Sequence, residues 1–225
     1  MMFKNKKVII FDLDGTLIDS VPDLAVAVNY MLETLGREKF SEDTIRQWVG
    51  NGAKILVDRA LSASSEIDDS IDPIFRQKAL DIFLNFYEKN LSIYTVAYPN
   101  VITTLKSLKK EGYTLTIVTN KPYKFVEPIL KGLGIYELFE FYLGGDSLKE
   151  KKPQPEPLLY VCDKLDVSIY DCLMVGDSKN DILSANACGM DSIGVTYGYN
   201  YGEDISIYNP NEVIDNFADI ISLLK

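Results

Sequence analysis

The sequence predicts an α/β protein, a doubly wound parallel sheet carrying an inserted, all-helical cap. Three observations predict it. Short apolar runs at 8–11, 115–118 and 172–175 stop at polar residues able to do chemistry, namely Asp12, Thr119-Asn120 and Gly176-Asp177. Helical patterns alternate with those runs, as a βαβ chain requires. Residues 20–92 break the alternation with four helical patterns and no clear strand.

Each element has its own signal. Apolar runs bounded by turn residues fit strands buried on both faces of a parallel sheet. Weaker runs at 141–143, before Gly144-Gly145-Asp146, and at 192–195 complete a set of five. Between them, 101–111 reads as a helix with apolar residues at 101, 102, 105 and 108 and Gly112 as its stop. Residues 125–133, 157–165 and 180–188 read likewise, the last stopped by Gly189. In the inserted stretch, 21–36 is a long amphipathic helix with Pro22 in its first turn, where proline is tolerated. Residues 44–49, 53–61 and 74–91 also read as helical, and the Ser- and Asp-rich stretch 62–72 reads as a loop. The expected domains are a catalytic core, 1–19 with 93–225, and a cap, 20–92.

Composition narrows the function. The chain has 225 residues, 47% hydrophobic, enough to bury a core. Its net charge of −10 repels nucleic acid and anionic membranes at long range, so neither is expected as a partner. The charged start, 1–7, precedes an apolar run too short for a signal peptide, and no segment approaches a membrane span. The three cysteines, Cys162, Cys172 and Cys188, form no CxxC pair, so reduced thiols in a soluble, cytoplasmic protein are expected. Monomer and homodimer both stay open. With no histidine, a Ser-His-Asp triad is excluded, and acid–base work falls to carboxylates, lysine, tyrosine, cysteine or metal-bound water.

Four stretches carry chemistry. Asp12-Leu13-Asp14-Gly15-Thr16-Leu17 follows a strand, and ligands of open α/β sheets sit at strand carboxyl ends. Gly15 would let the loop turn its amides to an anion; a plain Asx turn at Asp14-Gly15 is the lesser alternative. Gly176-Asp177-Ser178-Lys179-Asn180-Asp181 follows another strand, with Asp181 one helical turn beyond Asp177. Carboxylates converging from two strand ends make a hard-cation site, with a helix N-cap at Asp177 or Ser178 as the alternative. Thr119-Asn120 offers a hydroxyl and amides for phosphate oxygens, or simple turn chemistry. In the run from Lys149 to Pro157, prolines follow a lysine cluster and can hold one lysine toward a site, or the run is a solvated face.

In this order, the four motifs resemble the haloacid dehalogenase superfamily of phosphatases: DxDGT, a Thr or Ser, a Lys, then GDxxxD. The resemblance covers essentially the whole chain. Trp48-Val49-Gly50-Asn51-Gly52-Ala53, Asp19-Ser20-Val21-Pro22-Asp23-Leu24 and the stretch from Tyr197 to Glu203 are similar to segments of the bacterial phosphoglycolate phosphatases within it.

The resemblance implies a small phosphorylated metabolite as substrate, Mg2+ as cofactor and an aspartyl-phosphate intermediate. It implies Asp12 as nucleophile and Asp14 as general acid and base. It implies a metal held by Asp12, the Asp14 carbonyl and Asp177, with Asp181 acting indirectly. Thr119, Asn120 and Lys152 would hold the transferring oxygens, with Gly15 and Thr16 lining the same loop. Lys152 is preferred to Lys151 because it directly precedes Pro153. An ordinary aspartate, with a pKa of about 3.9, is only about 0.1% protonated at pH 7. Asp14 is therefore expected to sit where burial or negative neighbours raise it. In the cap, Asn51 and Gly52 would present amides to the far end of the substrate, and Lys54 either presents a cation there or is a solvated helix lysine. Broader phosphatases for sugar phosphates, nucleotides or pyrophosphate share this pattern. A phosphosugar mutase would want a cap histidine, a dehalogenase proper would lack the second aspartate, and a non-catalytic binding protein would have lost one of Asp12, Asp14 or Asp177.

Overall fold

In a computed structural model, which describes residues 2–224, the core is a six-stranded, fully parallel sheet. Met1, first of the charged N-terminal run, and Lys225, last of the expected core, lie outside the described residues. The strands are β1 (Val8–Phe11), β4 (Thr114–Val118), β5 (Phe141–Leu143), β6 (Cys172–Gly176), β7 (Asp191–Val195) and β8 (Glu212–Ile214), in the order β5-β4-β1-β6-β7-β8. After β5 the chain crosses β1 and continues on its other side. The carboxyl ends of β1, β4 and β6 therefore surround the point where the winding reverses, where α/β sheets open a crevice.

Alternation along the strands divides the core in two. Ile9, Phe11, Leu115, Ile117, Leu173 and Val175 face one side. There they join α5 (Val101–Lys110), α6 (Tyr123–Gly132) and α9 (Ile220–Leu224). Val8, Ile10, Val118 and Met174 face the other, with Leu158 and Val161 of α7 (Glu156–Leu165) and Ala185 of α8 (Lys179–Cys188). The first apolar cluster continues without a break into the cap through Leu13, Leu17, Val28, Trp48 and Phe83.

The cap comprises α1 (Val21–Thr34), α2 (Glu42–Arg46), α3 (Ala53–Ser62) and α4 (Pro73–Lys89). The helix expected over 44–49 instead starts at Glu42, because the Ser41 side chain accepts from the Thr44 amide and caps it there. Two short strands, β2 (Ile18–Asp19) and β3 (Val96–Ala97), pair antiparallel and close the neck through which the chain enters and leaves the cap. They and edge strand β8 were not expected, being too short to show an alternating pattern. Asp23, buried in α1, ties the return path down: it accepts from the Tyr94 and Thr95 amides, both at 2.9 Å, and from the Thr95 hydroxyl at 2.6 Å. Arg46 of α2 grips the neck from the cap side, with both terminal nitrogens 3.1 Å from the Asp19 carboxylate. No helix among the described residues is long and apolar enough to cross a membrane.

Candidate active site

Asp12 follows β1, Asp177 follows β6, and Asp181 lies in the first turn of α8. All three are buried, and one carboxylate oxygen from each lies within 4.8 Å of the other two. Two glycines permit this crowding. A Cβ at Gly15, whose φ is +90°, would fall 2.3 Å from Asp177 Oδ2, and one at Gly176 would fall 2.3 Å from the Asp181 side chain.

Lys152 is the counter-charge. Its Nζ lies 2.5 Å from Asp181 Oδ1 and 2.9 Å from Asp12 Oδ1, and the side chain is buried. The choice between the two lysines is thereby resolved. Lys152, preceding Pro153 through a cis peptide bond, enters the site, whereas Lys151 Nζ reaches across to the Asn51 carbonyl at 2.7 Å. Asp181 orients Lys152 and also accepts from the Ser178 amide and hydroxyl, at 3.0 and 2.9 Å. Ser178 is the N-cap of α8, so the helix-cap and acid-cluster readings of this motif hold together.

Burial pushes the Asp12 carboxyl up to about 7 against the opposing pull of Lys152. Burial, then the nearby Asp12 and Asp181, raise Asp177 well above the ordinary range. Burial draws the Lys152 ammonium down, and the facing carboxylates more than reverse this, so it is held above the usual lysine value. Asp12 Oδ1, despite its contact with Lys152, accepts no hydrogen bond of good geometry. Three converging oxygen donors, two of them destabilised as anions and one with an unfilled acceptor, suit a hard divalent cation. The Asp12, Asp177 and Asp181 set can hold one.

The second aspartate is held by donors. The Asp14 carboxylate faces no negative neighbour in hydrogen-bonding contact. Lys121 Nζ donates to both its oxygens, at 3.0 and 3.1 Å, and the Ser20 hydroxyl donates at 2.5 Å. Lys121 and Ser20 escaped the sequence reading, although Lys121 stands directly before Pro122, as Lys152 stands before Pro153. Thr16 does not line the cavity. Its hydroxyl donates to Asp177 Oδ1 at 2.8 Å and fixes that carboxylate, whose other oxygen accepts from the Tyr199 amide, also at 2.8 Å. Thr119 does reach the cavity, and its hydroxyl accepts from the Lys121 amide at 3.2 Å. Asn120 lines the cavity too, but its side-chain amide is spent on the Gly50 and Lys152 carbonyls, both at 3.0 Å.

The cap loop is docked on the core. Gly50 O also accepts from Asn180 Nδ2 at 3.2 Å, and Asn51 Oδ1 accepts from the Tyr201 hydroxyl at 2.8 Å. Carbonyls of Gly50 and Asn51 meet the core's donors. Gly52 does line the cavity and packs closely on the Asn120 carbonyl, where a Cβ would fall 2.8 Å away. Of the two readings of Lys54, its position fits the solvated helix lysine. It is exposed on α3 and lines a different surface depression with Asp58 and Arg76, because the inward positions of that helix belong to Ala53, Leu56 and Val57. The tyrosine-rich segment forms a wall between the two parts. Tyr197 donates to the Thr16 carbonyl, and Tyr199 reaches Asp19 at the neck. Between cap and core remains a cavity of about 40 Å³, bounded on one side by Asp12, Asp14, Thr119 and Lys121 and on the other by cap side chains.

Known proteins share this architecture. Residues 9–195 match the model of the haloacid dehalogenase-like hydrolase family. A phosphoglycolate phosphatase of Colwellia psychrerythraea is 52% identical over 225 residues, all of both chains. One of Psychrobacter arcticus is 49% identical over 98% of this chain and 96% of its own. A crystal structure of a predicted phosphoglycolate phosphatase from Haemophilus somnus superposes with a TM-score of 0.92 at 42% identity, covering 97% of this chain and 98% of the other. Strand-end carboxylates, the lysine between them and a helical cap inserted after the first motif all agree with that match: the chain belongs to the haloacid dehalogenase-like hydrolase family.

Proposed function

We propose that this chain is a magnesium-dependent phosphatase that hydrolyses a small phosphomonoester, 2-phosphoglycolate above all, through an aspartyl-phosphate on Asp12. One observation carries the reading: Asp12, Asp177, Asp181 and Lys152 meet at a single buried point beside a cavity of about 40 Å³. A dianionic phosphate and Asp12 repel; two unit charges at 4 Å cost about 4 kcal/mol at an effective dielectric near 20. Asp12, Asp177 and the Asp14 carbonyl would hold magnesium, whose positive charge would offset this repulsion and favour Asp12 as a carboxylate.

Asp12 attacks phosphorus as the bond to the leaving oxygen breaks. Asp14, aimed by Lys121 and Ser20, gives that oxygen a proton. It then takes a proton from the water that attacks the same phosphorus, releasing inorganic phosphate and restoring Asp12. Lys152, anchored by Asp181, and the Thr119 hydroxyl position the equatorial oxygens. Residues 20–92 act as the cap over 1–19 and 93–225, and the docked Gly50–Gly52 loop limits the substrate to a few heavy atoms beyond the phosphate. The relatives named phosphoglycolate phosphatase, at about half identity over the whole chain, support that substrate. Three free cysteines fit a reducing compartment, and we place the protein in the cytoplasm.

The test is kcat/KM with magnesium across phosphoglycolate, sugar phosphates, nucleoside monophosphates and pyrophosphate. Phosphoglycolate should lead by about a hundredfold, about 2.7 kcal/mol of transition-state discrimination. An even spread would leave the phosphatase and remove the substrate.

A further inference from the structure

The cavity has one polar atom on its cap side that no interaction described so far uses. Tyr87, on α4, is 1% exposed and lines the cavity, and its hydroxyl makes no hydrogen bond of good geometry, Lys121 being the polar group that interacts with it. Around it the cap contributes Leu24, Val49, Leu56 and Phe83, which are apolar. The ring is held in place by Phe83, stacked at 5.7 Å, and by Phe125, edge-on at 5.0 Å. Phenylalanine would pack there equally well without burying an oxygen. A buried hydroxyl left unpaired is costly, so its retention points to a partner that arrives with a ligand.

The charges nearest that hydroxyl identify the partner. Lys121 Nζ sits 5.0 Å from the centroid of the Tyr87 ring and holds Asp14 with its other side. Burial first, then the balance of Lys121 and Asp14, sets the Tyr87 hydroxyl at about 12, so it is a neutral donor at physiological pH. Lys121 is the cation among the cavity's lining residues, and Lys54, a candidate for the far end of the substrate, faces elsewhere. A ligand anion lodged between the core wall and the cap wall of the cavity, beside Asp14, would meet the Lys121 ammonium and the Tyr87 hydroxyl together.

We propose that Tyr87 is a specificity determinant: its hydroxyl donates to a carboxylate at the non-phosphate end of the substrate, beside the Lys121 ammonium. The proposal rests on the reading of the site as a phosphatase for a small phosphorylated acid. Because Tyr87 belongs to the cap and Lys121 to the core, a carboxylate bound by both also holds the cap down.

The experiment compares kcat/KM for phosphoglycolate and for ethyl phosphate, which has the same length without the carboxylate, in wild type and Tyr87→Phe. Wild type should favour phosphoglycolate. In Tyr87→Phe that preference should shrink by about tenfold to a hundredfold, the loss of one hydrogen bond to a charged group, and chiefly through KM. The melting temperature of the ligand-free variant should be no lower than wild type, since the oxygen removed makes no well-formed hydrogen bond and the Lys121 ammonium keeps both its bonds to Asp14. Binding of phosphoglycolate relative to inorganic phosphate, titrated in an Asp12→Asn background with and without Tyr87→Phe, should repeat the change without turnover. A wild-type preference that Tyr87→Phe leaves within twofold, or a variant with a lowered melting temperature and both esters impaired alike, overturns the role of Tyr87 alone. A wild type indifferent to the carboxylate overturns the acid-substrate reading, and this proposal with it.

Discussion

The strand ends of the core and the loop of the cap are built on opposite principles. At the strand ends, charged side chains are placed by backbone. Asp12 and Asp177 leave parallel neighbours paired in fixed register, and glycines at 15 and 176 make room for the Asp177 and Asp181 side chains. In the cap loop, the fixed partners are backbone carbonyls, held by side chains that the core sends across: Asn120, Asn180 and Lys151. Chemistry is therefore rigid and position-coded on one side of the cavity. On the other, recognition depends on how an apolar helical layer is docked.

The contrast can be broken or sharpened by substitution. Lys152→Met should have the largest effect on stability. It leaves buried carboxylates uncompensated, at a cost of about 3–5 kcal/mol in metal-free protein, and urea unfolding with EDTA measures it. Added magnesium should recover part of the loss. A cost below about 1 kcal/mol would show that the acids are not held together by this lysine.

The pH dependence of metal-free protein comes next. Asp12 stands at about 7 in the folded state against 3.8 in the unfolded chain. The folded state thus binds the extra proton, and the contribution to stability is complete below about pH 4 and lost as pH rises through about 7. The full span is on the order of 4 kcal/mol. Melting temperatures in EDTA should fall between pH 5 and 8, and Asp12→Asn should flatten that fall. A wild-type slope no steeper than the variant's would contradict the buried-carboxylate account.

Substitutions in the cap should do less. Gly50 has φ of +122°, and a Cβ there would lie 2.5 Å from the Tyr201 hydroxyl. Gly50→Ala should therefore loosen the docked loop, with about 1–3 kcal/mol of strain read as a raised KM. Unchanged KM would mean that docking at Gly50 does not matter to substrate binding. Lys54→Ala should be smallest, with kcat/KM within about twofold and stability within about 0.5 kcal/mol. A tenfold loss would return Lys54 to the site.

The same contrast explains what could be read from sequence. Five of the six core strands are legible because each is an apolar run ending in a turn, and Asp12, Thr119 and Asp177 are legible because they end those runs. Edge strand β8 is only Glu212–Ile214, too short for a periodic signal. Lys54 stayed open between two readings because distance along the chain from Gly52 does not tell which face of α3 packs inward; Leu56 and Val57 settle that by burial. Lys121 and Ser20 were missed because their roles depend on one contact each with Asp14, across 107 and 6 residues of sequence. Tyr87 reads as one more apolar position of an amphipathic helix, and only the closed cavity singles out its oxygen.

The central claim, that Asp12 carries the phosphoryl group, is tested most directly by acid-quenching a turning-over reaction and weighing the peptide that contains Asp12. The Asp14→Asn variant is the best vehicle, since slowed hydrolysis lets the intermediate accumulate. The account predicts one added phosphoryl group on the Asp12 peptide, abolished in Asp12→Asn together with turnover by roughly 10⁴-fold or more. Turnover that persists in Asp12→Asn, or a phosphoryl group found on another peptide, would contradict it.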